Sequence, residues 1–380
     1  MKFAIAPDSF KESLTAIEFC NIAKDVINGK LPEAECDLIP ISDGGEGFTE
    51  NLIFALNGEK KYIEVTGPYF EKVKSYIGYI EDEKLAIIEM AKASGLELVP
   101  VNKRDTKKAT TYGTGELIKY ALELGAEKII IGIGGSATTD AGAGMAAALG
   151  YKFYNSNDEE FIPVGENLDI IKKIDFSNVD KRLFNVNIQV ACDVDNPLYG
   201  KEGSAYVYAK QKGATEEDIK LLDKNLKIFA DKIKEVSGKD LANIPGSGAA
   251  GGLGFGLLYF ANGKLEKGIN IFLKAVGFEN RIKDADFVIT GEGKLDEQVY
   301  FGKSIFGINK FAMKYNIPVI IFCGYNRLDE AVFSKLKSVK AVFSICQYPS
   351  DLNTAIKNTR EWFRFSLINF LNLIKKEEVL

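Results

Sequence analysis

The stretch DFVITGEGKLDE at residues 286–297 decides the fold, because a continuous apolar run leads directly into a glycine-rich turn with charged side chains. Comparable apolar runs occur at residues 318–323 and, at the other end of the chain, at residues 2–6 and 37–41. Each of these runs is followed by a turn and a helical periodicity. Strands of this kind alternating with helices are typical of a parallel sheet covered on both faces. The two ends of the chain therefore predict one α/β domain.

The middle of the chain shows a different pattern. Three closely spaced runs at residues 62–65, 73–80 and 85–90 are joined by Gly-Pro and Glu-Asp turns, which predicts an antiparallel meander. Further strands and helices alternate after it, at 115–124, 128–133, 141–149, 187–192 and 216–236. We therefore predict a discontinuous α/β domain formed by residues 1–60 and 285–380, with a mixed α+β domain, residues 61–284, inserted in it.

Composition excludes several classes of protein. The 380 residues include no histidine, which excludes histidine-dependent nucleophiles, histidine zinc sites and an imidazole general base. Proton transfer must then depend on Asp, Glu, Lys, Tyr or Cys. The net charge of -5 argues against nucleic acid or an anionic membrane as partner, and no apolar run reaches the ~20 residues that span a bilayer. The five cysteines never form CxxC, which predicts reduced core residues and a cytoplasmic location.

Charged side chains gather where the terminal strands end. Ligands bind beyond the carboxyl ends of the strands in open parallel sheets. The side chains at these positions are Asp8, Lys11, Asp43, Glu46, Glu292, Lys294 and Asp296. Helix capping and turn formation explain any one of them equally well. The set as a whole favours a binding site.

Two segments of the inserted domain also predict chemistry. Residues 132–142, GIGGSATTDAG, follow a strand and open a helix, as in a phosphate-binding loop; close helix–strand packing by small residues is the alternative. Asp193 and Asp195 follow the strand at 187–192 and suit Mg²⁺ binding or a general base, although a polar strand end is equally consistent with them.

Two familiar nucleotide motifs are near misses. Residues 302–304, GKS, resemble the end of a P-loop, but Glu297 stands where the first glycine is required. Residues 246–251 spell GxGxxG but follow Pro245 and no clear strand, so a dinucleotide-binding fold is not indicated. A nicotinamide-dependent dehydrogenase would explain only this second motif.

Eight segments, taken in order along nearly the whole chain, resemble the bacterial glycerate kinases that lack a P-loop. They are residues 6–14, 40–47, 89–96, 109–116, 132–144, 191–198, 246–254 and 289–296. Departures from the family pattern are small; Ala209-Lys210, for example, replaces the Gly-Pro that usually precedes Gln-Lys-Gly-Ala.

The resemblance implies a flavodoxin-like, doubly wound terminal domain, an inserted mixed domain and an active site in the cleft between them. It also implies phosphorylation of D-glycerate by ATP with Mg²⁺, at the 2-hydroxyl to give 2-phosphoglycerate, and it leaves a homodimer possible. A glycerate 3-kinase, a kinase of another small hydroxy acid and a non-enzymatic ligand-binding protein are the alternatives.

A mechanism without histidine follows as a hypothesis. Asp193 is the expected base, with Asp43 and Asp296 as rivals. Lys11, at the predicted start of the first helix, would neutralise phosphate charge with help from that helix's positive end. The further candidates are Asp8 for catalysis, Gly134, Gly135, Ser136, Thr138, Gly291 and Glu292 for the nucleotide, and Asp43 and Glu46 for Mg²⁺. Arg104 is a candidate for the substrate carboxylate, but a solvated surface arginine is the favoured interpretation there, and Lys11 or Lys303 could bind the carboxylate instead.

Overall fold

The computed structural model describes residues 1–42, 47–296 and 304–375. These residues form two compact units. Unit 1 holds the described residues within Met1–Asp43, Glu50–Leu56 and Ile269–Leu380, and unit 2 holds those within Gly44–Thr49 and Asn57–Gly268. Unit 2 thus ends at Gly268, whereas the sequence placed the end of the inserted domain at residue 284; the domain boundaries stay a prediction.

The strands of the described residues are β1 (Lys2–Ile5), β2 (Glu35–Leu38), β3 (Glu59–Thr66), β4 (Lys72–Ile80), β5 (Leu85–Glu89), β6 (Lys128–Gly132), β7 (Lys152–Tyr154), β8 (Glu160–Phe161), β9 (Lys173–Asp175), β10 (Asn187–Ala191), β11 (Lys264–Glu266), β12 (Phe287–Leu295), β13 (Val319–Asn326) and β14 (Val339–Ser344).

The α-helices of the same residues are α1 (Ala16–Lys30), α2 (Phe48–Ala55), α3 (Ala91–Ser94), α4 (Tyr112–Glu123), α5 (Ala143–Ala148), α6 (Ser204–Tyr208), α7 (Glu216–Ser237), α8 (Ala249–Phe260), α9 (Gly268–Ala275), α10 (Phe278–Ile282), α11 (Ser304–Lys314), α12 (Glu330–Phe333) and α13 (Leu352–Ile374). Short 3₁₀ turns span Glu81–Glu83, Leu96–Leu98, Val101–Lys103, Gly165–Ile170, Lys181–Phe184 and Lys210–Lys212.

The sheet of unit 1 is entirely parallel, with strand order β14-β13-β12-β1-β2. Counted within the unit, this is the order 2-1-3-4-5 of flavodoxin-like folds. The predicted parallel α/β fold is therefore confirmed. The strand order reverses between β1 and β12, and ligands of such sheets bind beside the carboxyl ends at that switch point.

Aromatic side chains that pack against one another and against the sheet stabilise unit 1. Phe19 of α1 stacks on Phe363 of α13 with ring centroids 3.9 Å apart, and Phe363 meets Phe322 of β13 edge-on at 5.3 Å. All three side chains are completely buried. Truncating any one of them to alanine is expected to cost about 3–5 kcal/mol of stability.

Unit 2 contains a six-stranded mixed sheet of order β11-β10-β6-β5-β4-β3 and a small antiparallel sheet of order β8-β7-β9. Strands β3, β4 and β5 pair antiparallel, which confirms the predicted meander. Strands β5, β6, β10 and β11 pair parallel, and Glu89, Gly132 and Ala191 are level at their carboxyl ends. The loops that follow β6 and β10 consequently lie at one edge of this sheet.

Two of the predicted element boundaries that prove wrong concern candidate site residues. Helix α1 begins at Ala16 and not at Lys11, because Thr15 and Glu18 form a capping box in which each side chain accepts the other's backbone N–H. Strand β12 continues to Leu295 and does not end at Thr290, because Glu292 and Lys294 still pair with β13. Both charged residues therefore lie within the strand.

All five cysteines are free. Three are buried as predicted, whereas Cys36 is half-buried and Cys346 is exposed, so the expectation of five core thiols is wrong for these two. None of the helices in the described part of the chain combines the length and apolarity that crossing a bilayer requires.

Candidate active site

The switch point of unit 1 brings together two of the predicted site segments. The backbone N–H of Asp8 donates to the carbonyl of Gly291 at 2.8 Å, and the Thr290 hydroxyl donates to the carbonyl of Ala6 at 2.7 Å. The turn after β1 is thereby joined to β12. Asp8, Gly291 and Glu292 lie at this point, as their places in the sequence predicted.

The Asp8 carboxylate is held by hydroxyl and backbone donors. Its Oδ2 accepts from the hydroxyl of Ser304, the first residue of α11, at 2.6 Å, and its Oδ1 accepts from the backbone N–H of Ser9 at 2.7 Å. These two contacts fix the orientation of the Asp8 carboxylate, which is compatible with catalysis.

The remaining unit 1 candidates differ in their surroundings. Lys11 is exposed in the turn before α1, so the first turn of that helix does not assist it. The Asp296 carboxylate pairs with the Lys294 ammonium at 2.8 Å. Glu292 is half-buried on β12, and its charge together with burial raises the pKa of the Cys323 thiol to about 12, burial being the larger cause. Asp43, Glu46 and Lys303 lie outside the described residues.

The glycine-rich loop after β6 combines an exposed tip with a buried base. Gly134 and Gly135 are exposed, and Gly135 has a left-handed backbone with φ of 74°. The segment at residues 94–96 braces the loop, because Leu96 N–H donates to the Gly135 carbonyl at 2.8 Å and Ala137 N–H donates to the Ser94 carbonyl at 3.0 Å. The exposed backbone is suited to an anion.

Two predicted phosphate-binding residues lie inside this loop. Ser136 retains 7% of its exposure and Thr138 retains none. The carbonyl of Thr138 accepts a hydrogen bond from Lys212 Nζ at 2.7 Å. Thr138 is therefore placed within the loop's packed base and not on its open side.

Asp140 forms the polar centre of that base, and sequence reasoning missed it. Its carboxylate is completely buried and accepts from Thr111 N–H and Thr111 Oγ1, both at 2.8 Å, from Gly142 N–H at 3.1 Å and from Gly144 N–H at 3.3 Å. Burial raises the pKa of Asp140, and these hydrogen bonds lower it. The carboxylate joins the start of α4 to the start of α5.

The GxGxxG segment follows no strand, in agreement with its dismissal as a dinucleotide motif, yet it packs against the glycine-rich loop. Ala141 N–H donates to the Gly251 carbonyl at 3.0 Å. Ala141, Ala250 and Gly251 all have left-handed backbones, which L-residues such as alanine rarely adopt. Strain of this kind concentrates at functional sites and requires firm surroundings.

Asp193 and Asp195 follow β10 and are both exposed. Asp193 Oδ1 accepts from the N–H of Gly268, the first residue of α9, at 3.0 Å. Lys267 Nζ lies 3.0 Å from Asp195 Oδ1 and 3.2 Å from the Asp193 carbonyl. Asp193 thus also contacts the N-terminus of α9, and Asp195 has a cationic partner.

Two cations of unit 2 support loops. Lys212, which the sequence did not single out as a site residue, is buried, with its Nζ 2.6 Å from Ser136 Oγ. Burial lowers the pKa of Lys212 to about 7, and the nearby Asp140 charge partly opposes this shift. The Arg104 guanidinium donates to the carbonyls of Val99 and Gln211 at 3.5 and 3.4 Å, so it braces the chain beside Lys212.

Comparison with known proteins gives consistent results. The model of the glycerate kinase family matches residues 3–375. The chain is 47% identical to a glycerate kinase of Halalkalibacterium halodurans over 93% of both chains, and 45% identical to a glycerate 2-kinase of Escherichia coli over 94% of this chain and 93% of that one. It also resembles a crystal structure from Salmonella typhimurium LT2 assigned as glycerate kinase 2, with a TM-score of 0.89, 43% identity, and coverage of 99% of this chain and 98% of the other.

The match extends across both compact units and includes every segment on which the sequence resemblance depends. The chain belongs to the glycerate kinase family.

Proposed function

We propose that the protein transfers the γ-phosphoryl group of ATP to D-glycerate at the 2-hydroxyl, giving 2-phosphoglycerate. The observation that carries the proposal is the family match over residues 3–375, together with the similarity to a glycerate 2-kinase over 94% of the chain. The absence of histidine is compatible with this reaction, because phosphoryl transfer depends mainly on positioning and charge neutralisation.

The loop Gly134–Ser136 is the proposed nucleotide phosphate site. Its exposed glycines allow an anion to approach the backbone closely, and contacts with residues 94–96 hold the loop in one conformation. A preformed loop of this type binds an anion without first ordering itself. We retain Thr138 in the proposal as part of the loop's base.

At the unit 1 switch point we propose that Gly291 and Glu292 contact the nucleotide and that Lys11 neutralises charge on the transferred group. The exposure of Lys11 supports its part of this proposal. Asp8 and Asp296 remain proposed catalytic residues. Since α1 starts only at Ala16, Lys11 would act by its own charge and not through that helix.

Asp193 is the proposed base for the glycerate hydroxyl. Its position at the end of β10, level with the end of β6, supports this role. The hydrogen bond from Gly268 N–H to Oδ1 orients the carboxylate. A carboxylate oriented in this way accepts a proton while charge builds on the transferred phosphoryl group.

Mg²⁺ is the proposed cofactor, and when bound it would neutralise charge on the phosphates. Among the described residues, no three acidic or sulfur-bearing side chains converge as a metal cluster. Mg²⁺ needs only one or two carboxylates, and Asp43 and Glu46, which we propose for it, lie outside those residues.

We further propose that the enzyme works in the cytoplasm, where ATP is available and where thiols stay reduced, and the five free cysteines are consistent with this proposal. A homodimer stays a prediction. Sedimentation velocity on the purified protein tests it.

The direct test supplies ATP, Mg²⁺ and D-glycerate and asks whether enolase consumes the product. Enolase activity without added phosphoglycerate mutase is the expected result. A product that enolase consumes only after mutase is added would instead identify a glycerate 3-kinase. Failure to turn over D-glycerate, in a protein that hydrolyses ATP or transfers phosphate to another hydroxy acid, would contradict the proposed substrate.

The proposed base is tested by Asp193→Asn, which should lower kcat by at least ~10². Asp231→Asn is the matched control, because Asp231 is exposed on α7 and pairs only with Lys227 on the same helix among the contacts described. Near-normal kcat in Asp193→Asn would mean that this carboxylate is not the base and serves only in its contact with the start of α9.

A further inference from the structure

Lys212 is a buried lysine in a place where a lysine is costly. Only 3% of its surface is exposed, at the end of the 3₁₀ turn Lys210–Lys212. Lys210, two residues earlier, is exposed and lies 3.7 Å from Glu216. Removing an ammonium group from water is unfavourable unless polar partners replace the water. The partners of Lys212 therefore indicate what it does.

Those partners all belong to the loop after β6. Lys212 Nζ lies 2.6 Å from Ser136 Oγ and 2.7 Å from the Thr138 carbonyl. Asp140, two residues after Thr138, supplies the negative charge that acts on Lys212. One side chain thus contacts the loop immediately behind its exposed glycines.

The exposed part of the loop has no side chains with which to hold itself in place. Gly134 and Gly135 are exposed, and Gly135 has a left-handed backbone. Glycine has access to many backbone conformations besides this one. Ser136 is the first residue after them that has a side chain. The bond from Lys212 to Ser136 Oγ therefore anchors the loop directly beside its exposed glycines.

We infer that Lys212 is a positioning residue for the triphosphate of ATP: it anchors Ser136 and Thr138 from behind the loop and places a buried positive charge beneath the site. The inference rests on the proposed role of Gly134–Ser136 in binding nucleotide phosphates. Lys212 itself is too deeply buried to contact a ligand on the exposed side, so it acts through the loop.

This role makes nucleotide binding depend on pH near neutrality. Burial lowers the pKa of Lys212 to about 7, with Asp140 as the facing charge that opposes the shift. A bound triphosphate favours the protonated amine, so binding should weaken as pH rises through this range. A purely structural lysine would not couple the binding of nucleotide to pH.

The test compares Lys212→Met with the control Lys210→Met, which changes an exposed lysine of the same turn. Binding of a non-hydrolysable ATP analogue is measured by calorimetry from pH 6 to pH 9, and KM is measured for ATP and for glycerate. At pH 6.5, Lys212→Met should weaken analogue binding about tenfold and raise KM for ATP similarly, with KM for glycerate within about twofold. The pH dependence specific to the wild type should disappear.

Lys212→Arg supplies a second variant that keeps the charge. Because arginine stays protonated, this variant should bind the analogue better than Lys212→Met and lose the pH dependence near neutrality. If Lys212→Met does not fold, the inference is tested by comparing the pH dependence of analogue binding between the wild type and Lys212→Arg. Equal pH slopes in these two proteins would overturn the inference, as would wild-type binding by a folded Lys212→Met.

Gly135→Ala separates this inference from the proposed function. An alanine with φ near 74° is strained and should distort the tip of the loop. If Gly135→Ala leaves analogue binding unchanged, the loop does not bind nucleotide and the proposed function of this segment fails. If Gly135→Ala weakens binding and a folded Lys212→Met does not, only the role of Lys212 is wrong.

Discussion

Replacing Gly251 by alanine should separate the two loops that form the packed base of the candidate site. A Cβ at Gly251 would lie 1.9 Å from the carbonyl oxygen of Thr138 and 2.8 Å from Thr139 Cα. Both neighbours are backbone atoms, so no side-chain rotation can relieve the overlap. The Gly251 carbonyl also accepts the Ala141 N–H, which ties the loops together at the same point.

The magnitude has two parts. An alanine at the φ of 72° found at Gly251 costs about 1–2 kcal/mol, because its Cβ crowds the carbonyl. Forcing a methyl group into a packed interior adds about 1–3 kcal/mol. Gly251→Ala should therefore lower the free energy of unfolding by about 2–5 kcal/mol.

Gly238→Ala measures the first part alone. Gly238 caps the C-terminus of α7 with a φ of 70°, and a Cβ added there would meet no atom within 4 Å beyond its immediate chain neighbours. This substitution should cost only the backbone contribution of about 1–2 kcal/mol. The difference between the two variants then reports the steric overlap at Thr138.

The assay is urea denaturation followed by far-UV circular dichroism, since the single tryptophan, Trp362, belongs to unit 1 and both glycines belong to unit 2. The midpoint and the slope are compared between variants. KM for ATP should rise in Gly251→Ala alone. A Gly251→Ala protein as stable as Gly238→Ala would refute the reasoning, because it would mean that the Thr138 carbonyl moves aside freely.

Three further predictions concern stability and reactivity. Arg281→Lys should lower the free energy of unfolding, measured by urea denaturation, by about 1–2 kcal/mol, because a lysine cannot reproduce the guanidinium's double contact with Asp37. The control Arg360→Lys, at an exposed ion pair, should lower it by less than about 0.5 kcal/mol. Equal losses of stability in the two variants would contradict this prediction. The pKa of Lys212 is lowered from 10.5 to about 7, so the folded state binds fewer protons than the unfolded state between these pH values. The free energy of unfolding of the wild type, relative to that of Lys212→Met, should therefore rise with pH above 7 by up to about 1.4 kcal/mol per pH unit. A stability difference between the two proteins that does not change with pH would contradict this prediction. A thiol reagent should label the exposed Cys346 first in the native protein, as mass spectrometry can verify, and early labelling of the buried thiols would contradict their burial. Those thiols are Cys20, Cys192 and Cys323.

The sequence predicted most strands of the two larger sheets, and the family, because these depend on local patterns. Short apolar runs such as residues 318–323 are typical of strands buried on both faces, and their alternation with helices favours parallel pairing. The runs at 62–65, 73–80 and 85–90 were recognised as a meander by their short turns. The segments that carry the family resemblance are contiguous and needed no tertiary information.

The ends of helices and strands were less predictable. They depend on local capping contacts and on pairing with strands that become neighbours only in the folded chain. The Lys11–Thr15 region has helical composition, but the capping box of Thr15 and Glu18 starts the helix later. Nothing in residues 291–295 indicates a strand by periodicity. They extend β12 because β13 offers partners through Asn326.

By itself, the sequence determined most strands of the two larger sheets, several helices, the absence of imidazole chemistry and membership of the glycerate kinase family. Tertiary structure alone decided that Lys212 lies beneath the loop containing Ser136, and that Asp140 and Gly251 hold that loop's base. The physical reason is that a hydrogen bond between residues 76 positions apart leaves no periodic trace in either segment. Burial likewise changes the pKa of a lysine only after the chain has folded around it.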